Sequence, residues 1–182
     1  MDLLIVIGVI VLLAVFVVSL YNRIIVLDNR ISNAFGQIEV QLKQRNDLVP
    51  NLIETVKGYA AHEKGVFEAV TQARASMASA GTVQEKAQAD GLMAQALKSL
   101  FAVAEAYPEL KANQNFQQLQ GQLSELEQKI AYSRQFYNDT VLEYNNAITT
   151  IPGSFLARPM GKGSKPMFAA PEAERAVPKV QF

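Results

Sequence analysis

The sequence predicts an all-α protein, an N-terminal transmembrane helix that continues into an antiparallel up-and-down four-helix bundle. Three observations carry this. Leu3 to Leu20 reads LLIVIGVIVLLAVFVVSL, an unbroken apolar run without a charged residue. Beyond it, apolar residues recur in alternating steps of three and four, the spacing of one helix face, as far as Ala147. Finally, the prolines fall only at Pro50, at Pro108 and after Ile151, a further break reads at Ser79-Ala80-Gly81, and no stretch alternates with the period of a strand.

At about 1.5 Å rise per residue, a helix of about 18 residues covers roughly 27 Å, close to the ~30 Å hydrocarbon core of a bilayer. A signal peptide would begin with a positive segment and end at a small-residue cleavage site. Here the first two residues are Met1 and Asp2, and Ser19-Leu20-Tyr21 is a poor cleavage site, so a retained anchor over residues 1–21 is expected. Arg23, Arg30, Lys43 and Arg45 follow the span while nothing basic but the amino terminus precedes it. The positive-inside rule then favours a short outside N-terminus and a cytoplasmic body, with Asp28 weakening the asymmetry.

Residues 22–150 supply the bundle. No Pro or Gly stops the first helix after Tyr21, and Ile24, Leu27, Ile31, Ala34, Phe35, Ile38 and Leu42 form one stripe, so the anchor is expected to run on to about Gln44. Asp47 reads as an N-cap with Pro50 in the first turn of a second helix. This helix starts near Leu48, carries Leu52, Val56, Tyr59, Glu63, Val66, Phe67, Val70, Ala73 and Met77 at heptad-like spacing, and stops at Ser79-Ala80-Gly81. Thr82 with Glu85 three positions on is a capping box for the third helix. Its apolar set is Val83, Ala87, Met93 or Ala94, Leu97, Leu100, Phe101 and Ala104, and Tyr107-Pro108 ends it. The fourth opens after Asn113 and runs to about Thr149 on Phe116, Leu119, Leu123, Leu126, Ile130, Ser133, Tyr137, Thr140, Tyr144 and Ala147, with Glu125 and Lys129 as a favourable i,i+4 pair.

Residues 151–182 change character. Five of the seven prolines (Pro152, Pro159, Pro166, Pro171, Pro178) and five basic residues (Arg158, Lys162, Lys165, Arg175, Lys179) lie here, against Glu172 and Glu174. This reads as an extended, mostly mobile tail. Four helices return the chain to the membrane it left, so the basic tail is expected to lie near an anionic leaflet.

Composition narrows the chemistry. Seventeen basic and seventeen acidic residues leave no net charge, which argues against a nucleic-acid binder. The absence of cysteine excludes disulfides, thiolate chemistry and Cys-based metal sites. The one histidine, His62, adjoins Glu63, but Val66 stands where a zinc-binding HExxH helix needs its second histidine. Gly161-Lys162-Gly163-Ser164 lacks the strand and loop of a phosphate site. Asp47, Glu54, Glu63 and Glu68 scatter around a helix as a solvated face. Phe101, Phe116, Phe136, Tyr137 and Tyr144 read as bundle core, and Gly58 and Gly65, seven apart mid-helix, as points of close helix contact. No catalytic residue, cofactor or metal ligand is expected, and no enzyme.

Two stretches carry a specific resemblance. YNRIIVLDNRISNAFGQIEVQLKQRNDLVPNLIETVKGYAAHE, from Tyr21 to Glu63, and the stretch from Phe101 to Ala157 closely resemble the LemA family of bacterial membrane proteins. Phe35 stands where Trp is expected in many relatives. The resemblance implies a single N-terminal span, a cytoplasmic four-helix domain and no established enzymatic activity. A magnetosome-associated relative leans the family toward membrane organisation. The function expected is a membrane-anchored scaffold that self-associates or organises proteins at the bilayer. The alternative is a tethered adaptor or sensor with the tail as its recruiting arm. The partners expected are the lipid bilayer, further copies of the chain and an unidentified membrane or cytoplasmic protein, with no nucleic acid and no small-molecule substrate.

Overall fold

A computed structural model describes residues 1–168; Pro171, Glu172, Glu174, Arg175, Pro178 and Lys179 of the expected tail lie outside them. The described residues form α1 (Asp2–Lys57), α2 (Lys64–Ser79), α3 (Val83–Glu105), α4 (Pro108–Lys111), α5 (Gln114–Thr149) and α6 (Gly153–Ala157), with no strand among them. The chain is all-α, a long N-terminal helix followed by further helices. They fall into two compact units, Met1–Gly36 with Gln135–Met167, and Gln37–Arg134 with Phe168.

In the first unit, α1 begins with the apolar run, none of it buried. From Ile24 onward one face turns inward: Ile24, Leu27, Ile31 and Ala34 are buried, as are Tyr137, Val141, Tyr144 and Ile148 of α5. The Phe35 and Tyr137 rings lie 5.8 Å apart, and Arg23 approaches Glu143 at 3.6 Å. Ascending α1 positions thus meet descending α5 positions, and the two helices are antiparallel. A pair of helices alone cannot enclose its seam, and here the chain after α5 bridges it.

The second unit packs parts of α1 and α5 with α2, α3 and the short α4 around one core. Val49, Leu52 and Val56 of α1, Phe67 and Val70 of α2, Met93, Leu97 and Leu100 of α3 and Phe116 and Leu123 of α5 belong to one buried cluster. Glu39 pairs with Lys86 and Arg45 with Asp90, so α1 and α3 run parallel. Arg45 with Glu127, and Tyr59 with Asn113, set α5 antiparallel to α1.

The break between the first two long helices is not where the sequence suggested. No helix ends at Asn46–Pro50. The first helix continues through Pro50 to Lys57, and Asp47 pairs with Lys43 at 2.9 Å inside it instead of capping a new one. The chain turns at residues 58–63, so Tyr59–Glu63 is a connection and not mid-helix. Gly65 has no neighbour where a Cβ would stand, so it marks no close helix contact. The physical reason is phase. Ile38, Leu42, Arg45, Val49, Leu52 and Val56 keep one unbroken three–four spacing on the buried face. Burial of that whole face outweighs the roughly 3 kcal/mol an interior proline costs. The third helix begins as expected, with Thr82 and Glu85 forming both halves of the capping box. In α5, Asn113 Oδ1 accepts from Phe116 N, and Lys129 meets Glu125 at 2.7 Å.

Candidate functional site

Two polar constellations stand out, one in each unit. In the second unit an arginine occupies a core position of the α1 stripe. Arg45 is 1% exposed and Asp90 on α3 is 2% exposed. Arg45 donates from Nη2 to Asp90 Oδ1 and from Nη1 to Glu127 Oε1 on α5, each at 2.6 Å. The other Asp90 oxygen lies 3.4 Å from Arg134 Nη1, and the Arg134 guanidinium lies over the Phe168 ring, 5.5 Å from its centroid. Among the described residues two cations meet two anions here, Arg45 and Asp90 buried and Glu127 partly exposed. A guanidinium suits this place because its planar fork addresses two carboxylates at once. With both carboxylates engaged, the arrangement joins α1, α3 and α5 in one register.

In the first unit the chain leaves α5 through Ile151 and Pro152 into α6. Gly153 packs so closely that a Cβ there would collide with the Ala147 carbonyl oxygen. After α6, Gly161 at φ 64° reverses the chain, and Lys162 N donates back to Ala157 O at 3.0 Å, a left-handed glycine closure of the helix end. This delivers Lys162 Nζ to Asp28 Oδ2 of α1 at 2.6 Å, and Lys165 Nζ reaches the other oxygen at 3.2 Å. On the α5 side, Asn145 grips the main chain of Lys165, donating to its O at 3.0 Å and accepting from its N at 2.8 Å. Tyr137 OH donates to Pro166 O.

The stretch 162–168 is therefore extended but tied to both helices rather than free. Lysines 162 and 165, expected to face lipid, are engaged by Asp28. The hydrogen bond from Lys162 holds the Asp28 carboxyl below the usual carboxylate range against the opposing effect of burial, and the same bond raises the Lys162 ammonium. Burial raises the Tyr137 and Tyr144 phenols, with the Asp28 charge a second cause for Tyr144.

Asp28 titrates lower folded than unfolded, so its contribution is present above about pH 3.9 and lost as pH falls through the lowered value. Lys162 titrates higher folded, so its share is present below about pH 10.4 and lost as pH rises through the raised value. The expected result is strong protection of the Lys165 amide, relative to the unstructured rate at the same pH, across the neutral range, with protection lost in strong acid and lost at neutral pH in Asp28→Asn. Unchanged protection in that variant would show that Asn145 and Tyr137 hold the segment without Asp28.

The residues weighed for chemistry in the sequence stay apart. His62 is exposed in the turn between α1 and α2. Asp47 and Glu54 pair with Lys43 and Lys57 on the surface, and Glu68 is exposed. Among the described residues no three His, Asp or Glu side chains are grouped to hold a metal ion. Phe116, Tyr137 and Tyr144 are core and Phe101 packs against it, but Phe136 is 44% exposed and does not belong to the core.

Residues 34–182 match the family model described as the LemA family. The chain belongs to the LemA family. Among curated relatives it is similar to magnetosome protein MamQ 2 of Paramagnetospirillum magneticum, 26% identical over 75% of this chain and 60% of the relative. It is 24% identical to magnetosome protein MamQ of Magnetospirillum gryphiswaldense with the same coverage. It is 27% identical to protein LemA of Metamycoplasma hominis over 81% of this chain and 68% of that protein. The chain thus spans about 60% of the length of the magnetosome relatives it matches. The LemA-family match begins within α1, and Arg45, Asp90, Glu127 and the segment that clasps Asp28 all lie inside it. This LemA-family chain is helical and begins with a helix long and apolar enough to cross a membrane.

Proposed function

We propose that this chain is a membrane-anchored scaffold that self-associates or organises proteins at the bacterial inner membrane, with its N-terminus outside and its helical body in the cytoplasm. In this reading residues 1–21 cross the bilayer, residues 22–150 form the assembly body and residues 151–182 begin by returning to the membrane side. The supporting observation is α1. It passes from the apolar run into the body as one helix, with no linker between them. A flexible tether serves a protein that searches for a partner; a continuous helix holds a body at a fixed orientation, as lateral assembly in a membrane requires. Val40 and Leu92 on the second unit are exposed large apolar side chains that supply contact points for lateral packing. The magnetosome relatives support a role in organising membranes over one in catalysis.

The size of the purified protein in detergent tests this. A large, regular homo-assembly is the expected result. A monomer or dimer that co-purifies with one stoichiometric partner would overturn it in favour of a tethered adaptor or sensor.

A further inference from the structure

The α5–α6 corner is packed inside out. Gly153 and Ala157, the small residues of α6, are buried. Phe155, about 200° around the helix from each, is 71% exposed, and Ile151 just before it is 76% exposed. A helix docked on a soluble domain places its large apolar residues inward; here Leu156 is half-buried but Phe155 faces out, although Gly153 shows that the helix is seated closely. The corner's location gives the reason. Leu20, Arg23 and Ile24 line one concave site together with Ile151, Pro152 and Gly153. Leu20 is the last residue of the apolar run, so the corner stands at the level where α1 leaves lipid. Arg158, one turn past Phe155, is exposed and suits the anionic headgroups of a cytoplasmic leaflet.

We propose that Ile151 and Phe155 insert into the interfacial zone of the bilayer that α1 crosses, giving the chain a second, reversible membrane contact beside its anchor. The inference rests on the membrane-spanning reading of residues 1–21. It is distinct from a purely electrostatic attraction of the basic tail, because Lys162 and Lys165 are already held by Asp28. The driving force is burial of apolar surface.

The cysteine-free sequence permits a direct test. Full-length protein carrying a fluorophore at Phe155→Cys, Tyr132→Cys or Leu12→Cys is reconstituted in phosphatidylcholine–phosphatidylglycerol vesicles. Tyr132 is exposed to the same degree as Phe155, at 72%, but lies in the second unit. The expected result is several-fold stronger quenching of the Phe155 label than of the Tyr132 label by lipids spin-labelled near the headgroup, and several-fold weaker quenching by aqueous iodide. A Phe155 label as open to iodide as the Tyr132 label, with the Leu12 label quenched by lipid, overturns the insertion and leaves the anchor standing. If the Leu12 label is also open to iodide, the spanning reading itself fails. Protection of the Phe155 label that disappears as protein is diluted in lipid would assign the face to a second copy of the chain and overturn the proposal.

Discussion

Arg45→Met is expected to lower the stability of the chain by about 3–5 kcal/mol, because a buried carboxylate stripped of its main cation is left uncompensated. In Asp90 that carboxylate is 2% exposed, and its remaining partner Arg134 stands off at 3.4 Å. For a body of this size the loss corresponds to a drop in Tm of about 10 °C, measured by circular dichroism in detergent. Glu127→Gln should cost far less, since Glu127 is partly exposed and can be hydrated. Arg45→Met combined with Asp90→Leu should recover most of the loss, because well-packed apolar groups often replace a buried ion pair without penalty. A double variant whose loss equals the sum of the two single losses would show that the residues act independently.

Gly153→Ala is the second large effect. The added carbon has no room against the Ala147 carbonyl, and backbone cannot move aside as a flexible side chain can. The expected cost is about 1–3 kcal/mol of overpacking, with α6 lifted from the end of α5. Gly121→Ala is the control: it lies within α5 with open space around it, so the same change should stabilise by about 0.5–1 kcal/mol through backbone entropy. Hydrogen exchange resolved along the chain distinguishes a local opening at residues 150–162 from a global loss. No change in that segment would disprove the close approach.

Much of this fold was legible because helices announce themselves locally. Thr82 and Glu85 act on each other three residues apart, and Asn113 opens α5 by bonding within its own first turn; neither needs the rest of the chain. Asn46–Pro50 misled because cap and proline signals are also local, whereas what decides the matter is a stripe that stays in phase from Ile38 to Val56. Arg45 hid that phase by placing a charge on the stripe. Its reason for being there is Asp90, a partner 45 positions away, and no spacing rule reveals such a pair. Asp28 gave the same difficulty. In the sequence it only dilutes a positive flank; in the fold it collects two lysines from a segment that reads as solvated tail. Phe155 and Ile151 were invisible as a face because exposure is a property of packing.

The unbroken course of α1 ties distance to rotation. Each residue added between Leu20 and Ile24 would raise the body by about 1.5 Å and turn it by about 100° around the helix axis. Rotation about an axis that crosses the bilayer leaves the depth of Phe155 unchanged, but height does not: one added residue lifts it by about 1.5 Å and seven by about 10 Å, beyond the interfacial zone. The junction therefore behaves as a spacer whose length, more than its phase, sets how deep the α5–α6 corner sits, and each added residue should weaken that contact further.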